Sequence, residues 1–514
     1  MSTPSQGLQF PIDQTSQRSS SSHVGREIIE HALSSVNPEH AQAVRHEKNW
    51  RKHYPIHFKR LVENGLRDHD SALKIAENGL NKAHQLFQFQ RNQKTLSLVD
   101  ALQLPTEPLH TYTLKGNLEI VPEWYVPYKG QNLKGADLLN QIESWLSRGI
   151  IEPSHALALQ ECVAHPEWFD LSDRTMVLFG AASEAGPLPW LAKWKANIVA
   201  LDLNNERVWS KILNTVLQGN ATLYAPSLKA VKATNSIREN AETLGVNLLT
   251  HMPEIAHWLT QFKENLDLAA IAYLDGEKHV RVSMAMDTIM SYVSEQKANT
   301  SLMYMCTPTD VYAVPEEVIK ASQDKFKQRS KLENTISKTV STLSRQYFFQ
   351  KSTEQTYQLN QSKYGICDCL VVEQGPNYAL AKRLQQWRAT LARAHGQRVS
   401  INIAPSTTTR SVTKNPLLKA AFNGANLFDV EAFEPATTNA IMAALWIHDL
   451  RNPSAVSNPE VKLNHPLELM MHGANHGGLW RVAYLARSAL PFAAIYGFAE
   501  EKLPIKKIWS KLKK

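Results

Sequence analysis

The stretch Val177 to Asp202 constrains the fold more than any other part of the chain. It reads Val-Leu-Phe-Gly-Ala-Ala-Ser-Glu-Ala-Gly-Pro-Leu-Pro-Trp-Leu-Ala-Lys-Trp-Lys-Ala-Asn-Ile-Val-Ala-Leu-Asp. Met176 to Phe179 is an unbroken apolar run. That predicts a parallel strand covered on both faces, since a half-exposed strand alternates with polar residues. Gly180, Ser183 and Gly186 mark a turn, Leu188, Leu191 and Trp194 indicate a short amphipathic helix, and a second apolar run, Ile198 to Leu201, ends at Asp202. Together these make a βαβ unit with an acid at the tip of its second strand. In dinucleotide sites of this form the glycines let the backbone approach the pyrophosphate, and the helix N-terminus favours its negative charge. The acid, about 20 residues on, accepts bonds from the ribose. Pro187 and Pro189 are tolerated in a first helical turn, where no amide donor is required. A structural turn that binds nothing is the competing reading.

From Asp173 onward the pattern is strand–helix alternation. Strands are predicted at 175–180, 197–202, 221–225, 246–250, 267–273, 300–306, 367–373 and 398–404, and helices at 206–217, 235–243, 253–264, 279–295, 377–395 and 414–424. Such alternation predicts an α/β fold, a doubly wound parallel sheet of Rossmann-like form. It is preceded by a mainly helical N-terminal region and followed by a helical C-terminal extension. The expected division is a disordered, Ser-rich tail at 1–25, a helical region at 26–150, the sheet domain at 173–425 and the extension at 426–514. A charged helical insertion at 316–363 interrupts the sheet domain, and further helices are expected at 435–450 and 464–490. At 514 residues the chain is long enough for two or more domains.

Composition narrows the compartment and the partners. Four cysteines (Cys162, Cys306, Cys367 and Cys369) are too few for a disulfide scaffold and point to a reducing, cytoplasmic setting. No secretory h-region opens the chain, and no run of about 18 apolar residues marks a membrane span. The formal charge of +8 comes without a nucleic-acid motif, so no nucleic-acid partner is expected. Residues 502–514 carry six lysines, and Ile505, Ile508, Trp509 and Leu512 share one helical face. That tail suits either peripheral contact with an anionic membrane or docking on the protein itself. No metal ligand set is evident. The glycine-rich His472 to Gly478 turn reads as a flexible loop, with capping of a substrate pocket or metal binding as alternatives.

A second constellation lies downstream. Tyr378 and Lys382 stand at i and i+4, on one face of a predicted helix. A nearby ammonium favours phenolate and so lowers a tyrosine pKa toward acid–base use. The helix leads into a strand ending Asn402-Ile-Ala-Pro405-Ser-Thr-Thr-Thr409. Taken with Gly-x-x-Ser-x-x-Gly and the terminal Asp202, these features resemble the short-chain dehydrogenase/reductase family over roughly 173–425.

The resemblance implies Tyr378 as the acid–base, Lys382 as its support and a ribose ligand, and a hydroxyl after the preceding strand to polarise the substrate oxygen. Thr307 is preferred for that last role, with Thr309 the alternative. It implies NAD binding at Gly180, Ser183, Gly186, Asp202, Lys382, Pro405 and Thr407. NADP also stays open, because Asn204, Asn205 and Arg207 lie just past the acid. The implied activity is NAD(H)-dependent hydride transfer on a secondary alcohol or ketone, a small molecule, with homo-oligomerisation open. Two features depart from the family pattern. Residues 308–377 separate the hydroxyl from the tyrosine, which usually lie close, and the family's Asn-Asn-Ala-Gly appears only as Tyr273-Leu-Asp-Gly276. Tyr-x-x-x-Lys also occurs at Tyr125 and Tyr347, without the helix and strand that follow Tyr378. An S-adenosylmethionine-dependent methyltransferase and a non-catalytic dinucleotide-binding protein are the alternatives.

Overall fold

The computed structural model describes residues 6–12, 19–231, 236–352, 355–359, 362–414 and 416–502. Among the described residues, seven strands form the central sheet: β1 His110–Lys115, β2 Thr175–Phe179, β3 Asn197–Leu201, β4 Thr222–Ser227, β5 Leu266–Ala270, β6 Ser301–Cys306 and β7 Arg398–Ile403. Their order is β7-β6-β5-β2-β3-β4-β1. Strands β2 to β7 pair in parallel, and β1 joins β4 antiparallel at the edge. The fold is therefore α/β with a mixed, mostly parallel sheet.

The strands are apolar throughout because both faces are covered. Val177, Phe179, Val199 and Leu201 belong to one buried cluster, and Met176, Leu178, Ile198 and Ala200 to the other. Each neighbour along a strand thus feeds the opposite core, as strand pleating demands. Helices α1 Ser21–Ser34, α2 His69–Leu86, α4 Glu277–Gln296 and α5 Pro376–Ala394 contribute to the first cluster. Helices α3 Glu206–Leu217 and α6 Pro435–Arg451 contribute to the second.

The N-terminal helices extend the first core as a further layer. Gly79 of α2 meets Trp387 of α5, where a Cβ would stand 2.2 Å from the indole. Only glycine allows that approach. Buried Asp287 of α4 ties the layers together, accepting from Arg388 of α5 at 2.7 and 2.8 Å and lying 2.6 Å from His84 Nε2 of α2. Burial alone would raise the Asp287 carboxyl pKa, but Arg388 and His84 hold it below the usual range.

Several expectations change. The tail at 1–25 is not free throughout: Gly7–Gln9 pairs with Gln88–Gln90, Leu8 and Phe10 are buried, and α1 begins at Ser21. Residues 246–250 are not a strand. Val246, Leu248 and Leu249 are buried there, and the Val246 amide donates to the Asp202 carbonyl just past β3. The strand expected at 367–373 runs instead over Ser362–Asp368, outside the central sheet, antiparallel to Val311–Pro315. The 316–363 segment combines helices Glu316–Lys327 and Lys331–Leu343 with the strand Thr356–Leu359. At 464–490, Pro466 and glycines at positive φ (Gly473, Gly477 and Gly478) leave only 3-10 turns before the helix Ala486–Lys502. Among the described residues, no helix is long and apolar enough to cross a membrane. The basic tail beyond Lys502 lies outside the described residues.

Candidate functional site

In the sheet, β2 lies between β3 and β5, so the chain leaves β2 to one side and returns on the other. The crevice above this reversal, at the carboxyl ends of the strands, is where open α/β sheets bind ligands. A cleft of about 680 Å³ occupies that position. From Asp202 after β3 to Thr307 after β6 it crosses three strand spacings, roughly 14 Å.

The turn after β2 forms one wall. Gly180 has φ +91° and lies against the segment leaving β5, where a Cβ would stand 2.6 Å from Ala272 Cα. Gly180 and Ser183 face the cleft, whereas Gly186 is buried behind the turn, close to Ile271 and Ser183. It packs there rather than lining the cleft with Gly180 and Ser183. The helix that follows is a single turn, Leu188–Leu191, too short to build the expected dipole. Asp202 is half-buried, and its carboxylate accepts from the Ala182 and Leu203 amides, each at 2.9 Å. Burial raises its pKa and those amides oppose the rise. Glu184, not singled out from the sequence, stands in the same turn. It accepts from the Arg410 amide at 2.8 Å and pairs with Arg410 Nε at 3.0 Å, across the mouth of the cleft.

The other end gathers the hydroxyls. The Thr307 hydroxyl stands beside that of Tyr378 and lies 2.8 Å from Thr309 Oγ1, which accepts from Gln374 Nε2 at 2.5 Å. Tyr312 donates to the Thr307 carbonyl at 2.6 Å, holding the loop. The intervening residues loop out because Val311 pairs with Asp368. That register closes the excursion at its base and returns the chain a few residues before α5.

Lys382 also lines the cleft, its ammonium donating to Met305 O at 2.9 Å and Gln385 Oε1 at 3.3 Å. It stands 6.0 Å from the Tyr378 ring centroid. The expected lowering of the tyrosine pKa is therefore overturned. Burial raises the Tyr378 pKa against the opposing effect of the Thr307 hydroxyl, and burial lowers that of Lys382. Pro405 and Thr407 line the same end, with Thr407 Oγ1 donating to Pro405 O at 2.8 Å.

His279 of α4 was not legible from sequence. Its ring is buried and stacked on Tyr378, and among the described residues no bond reaches either ring nitrogen. Burial, then the Lys382 charge, keeps it neutral.

Elsewhere, the His472–Gly478 turn is buried rather than flexible. His476 lies 2.8 Å from Glu152, which also accepts from Arg481. Among the described residues, no three His, Cys, Asp or Glu side chains gather as a metal site would require.

These features define an α/β protein with a cleft at the reversal point of a mostly parallel sheet. No family model matches the chain, and no curated protein matches it. Among solved structures, the terminal R domain from the myxalamid PKS-NRPS biosynthetic pathway is similar at 12% identity and a TM-score of 0.29, over 59% of this chain and 69% of that one.

Proposed function

We propose that the protein is an NAD(H)-dependent oxidoreductase of short-chain dehydrogenase/reductase type, acting on a secondary alcohol or ketone. The observation that carries this reading is the Thr307–Tyr378 hydroxyl pair, set in the same cleft as Asp202 and the Gly180 turn. Numbered among themselves, the six parallel strands run 3-2-1-4-5-6, the order of dinucleotide-binding doubly wound sheets.

Two residues support a cofactor here: Gly180 lets the turn pack against Ala272 beside the cleft, and Asp202 stands at the end of β3, where an adenosine ribose is bound in such sheets. Bound NADH supplies the hydride. The Thr307 hydroxyl holds the substrate oxygen. Tyr378, neutral because burial raises its pKa, gives that oxygen a proton as charge develops on it. Lys382, bonded to the Met305 carbonyl, marks the edge of the nicotinamide end.

The test is titration with NADH, NADPH and S-adenosylmethionine, followed by single-turnover ketone reduction by Tyr378→Phe. NADH should bind both forms alike, and the variant should lose hydride transfer by about two to four orders of magnitude. Full turnover by the variant, or binding of S-adenosylmethionine alone, would overturn the reading.

A further inference from the structure

Beside the hydroxyl end of the cleft lies a separate chamber of about 90 Å³. It shares Thr309, Val371, Ser406, Phe422 and Leu490 with the cleft, so the two spaces adjoin along that wall. Its other walls come from Ala421, Phe428, Val482, Ala489 and Ala493, and among the described residues no charged side chain lines it.

Two helices roof the chamber, Pro416–Asn423 and Ala486–Lys502. They touch almost backbone to backbone. A Cβ on Gly424 would stand 1.9 Å from Ala493 O, and one on Gly497 1.9 Å from Ala420 O. Such contact fixes the roof's height, and the alanine walls then set the width.

A cavity with apolar walls stays dry and takes apolar guests. A charged group inside would be buried without a partner. The ribose-binding acid Asp202 lies at the far end of the cleft, so the nucleotide does not need this space.

We propose that the chamber receives the hydrocarbon chain of the substrate, so that the molecule reacted at Thr307 and Tyr378 is a ketone or secondary alcohol bearing an uncharged apolar chain. The inference rests on the oxidoreductase reading above for the identity of the reacting group. The chamber itself is read from its walls alone.

The test is calorimetric binding of straight-chain methyl ketones of four to twelve carbons, with and without NADH. Affinity should rise about fourfold per methylene until the chamber is full, then level off. A ketone of equal length ending in a carboxylate should bind no better than butanone, a control that needs no variant. Ala489→Phe, which fills the chamber, should flatten the series while NADH affinity reports an intact fold. Affinities indifferent to chain length in a wild-type protein that binds NADH would overturn the chamber and leave the hydride chemistry standing. A normal chain-length series in a protein that ignores NADH would uphold the chamber and remove the hydride reading.

Discussion

The imidazole of His279 stacks on the phenol ring of Tyr378, with centroids 5.4 Å apart and planes inclined by 22°. His279 is buried and Tyr378 half-buried in the cleft wall, and among the described residues both His279 nitrogens lack hydrogen-bond partners. A buried polar atom without a partner costs about 1–3 kcal/mol. His279→Phe keeps the stack and removes the orphaned nitrogens. It should therefore raise stability by about 1–2 kcal/mol, read as a higher melting temperature. A lower melting temperature would mean that the nitrogens are bonded in solution.

Asp202 has two tasks, since its carboxylate faces the cleft and also accepts the Ala182 amide of the glycine turn. Removing it should loosen the turn as well as the ribose contact. Asp202→Ser is expected to weaken NADH binding by about tenfold and to narrow the preference over NADPH, whose phosphate the carboxylate repels. Fluorescence titration of both cofactors checks this. A wild-type preference for NADPH contradicts it.

Glu184 sets a carboxylate in the turn that, on the proposed reading, faces the pyrophosphate. Its partner Arg410 is mostly exposed, so the pair itself contributes little. Glu184→Gln should remove a like charge from the turn and tighten NADH two- to fivefold, about 0.5–1 kcal/mol. The gain should shrink in high salt, because exposed charges are screened. Weaker binding by the variant at low salt would show that the carboxylate instead organises the turn.

His155 is fully buried, and burial pushes its pKa down to about 4. Its unfolded pKa is near 6.5. Between those values the unfolded chain binds the proton and the folded one does not, so stability falls as pH drops through that window. The full loss is on the order of 3 kcal/mol. Glu152 extends the trend to lower pH. Burial would raise its pKa, but His476 and Arg481 hold it at about 2, so its contribution is lost below about 4.5. His155→Gln should flatten the melting-temperature profile between pH 6.5 and 4 and leave the region below it sloping. An unchanged profile assigns the acid sensitivity to other histidines.

What the sequence determined by itself is local: which segments are apolar on both faces, where glycine or proline interrupts them, and which side chains share a helical turn. Met176–Phe179 and Ile198–Leu201 read as doubly covered parallel strands and pair as such. Tyr378 and Lys382 read as one helical face and line one cleft. Hydrophobicity records burial but not the partner, and there the tertiary structure decided. Val246, Leu248 and Leu249 of the apolar run at 246–250 are buried outside the sheet, with backbone bonds to the Asp202 carbonyl past β3 and from the Leu8 amide. Thr307 reaches Tyr378 only through the Val311–Asp368 register, a pairing between residues far apart in the chain. The Tyr378 pKa follows from how much water the fold removes and from where Lys382 sends its proton donors, and i, i+4 spacing specifies neither. His279 had no signal in its neighbours, because its significance lies in a ring from another helix and in bonds it does not make.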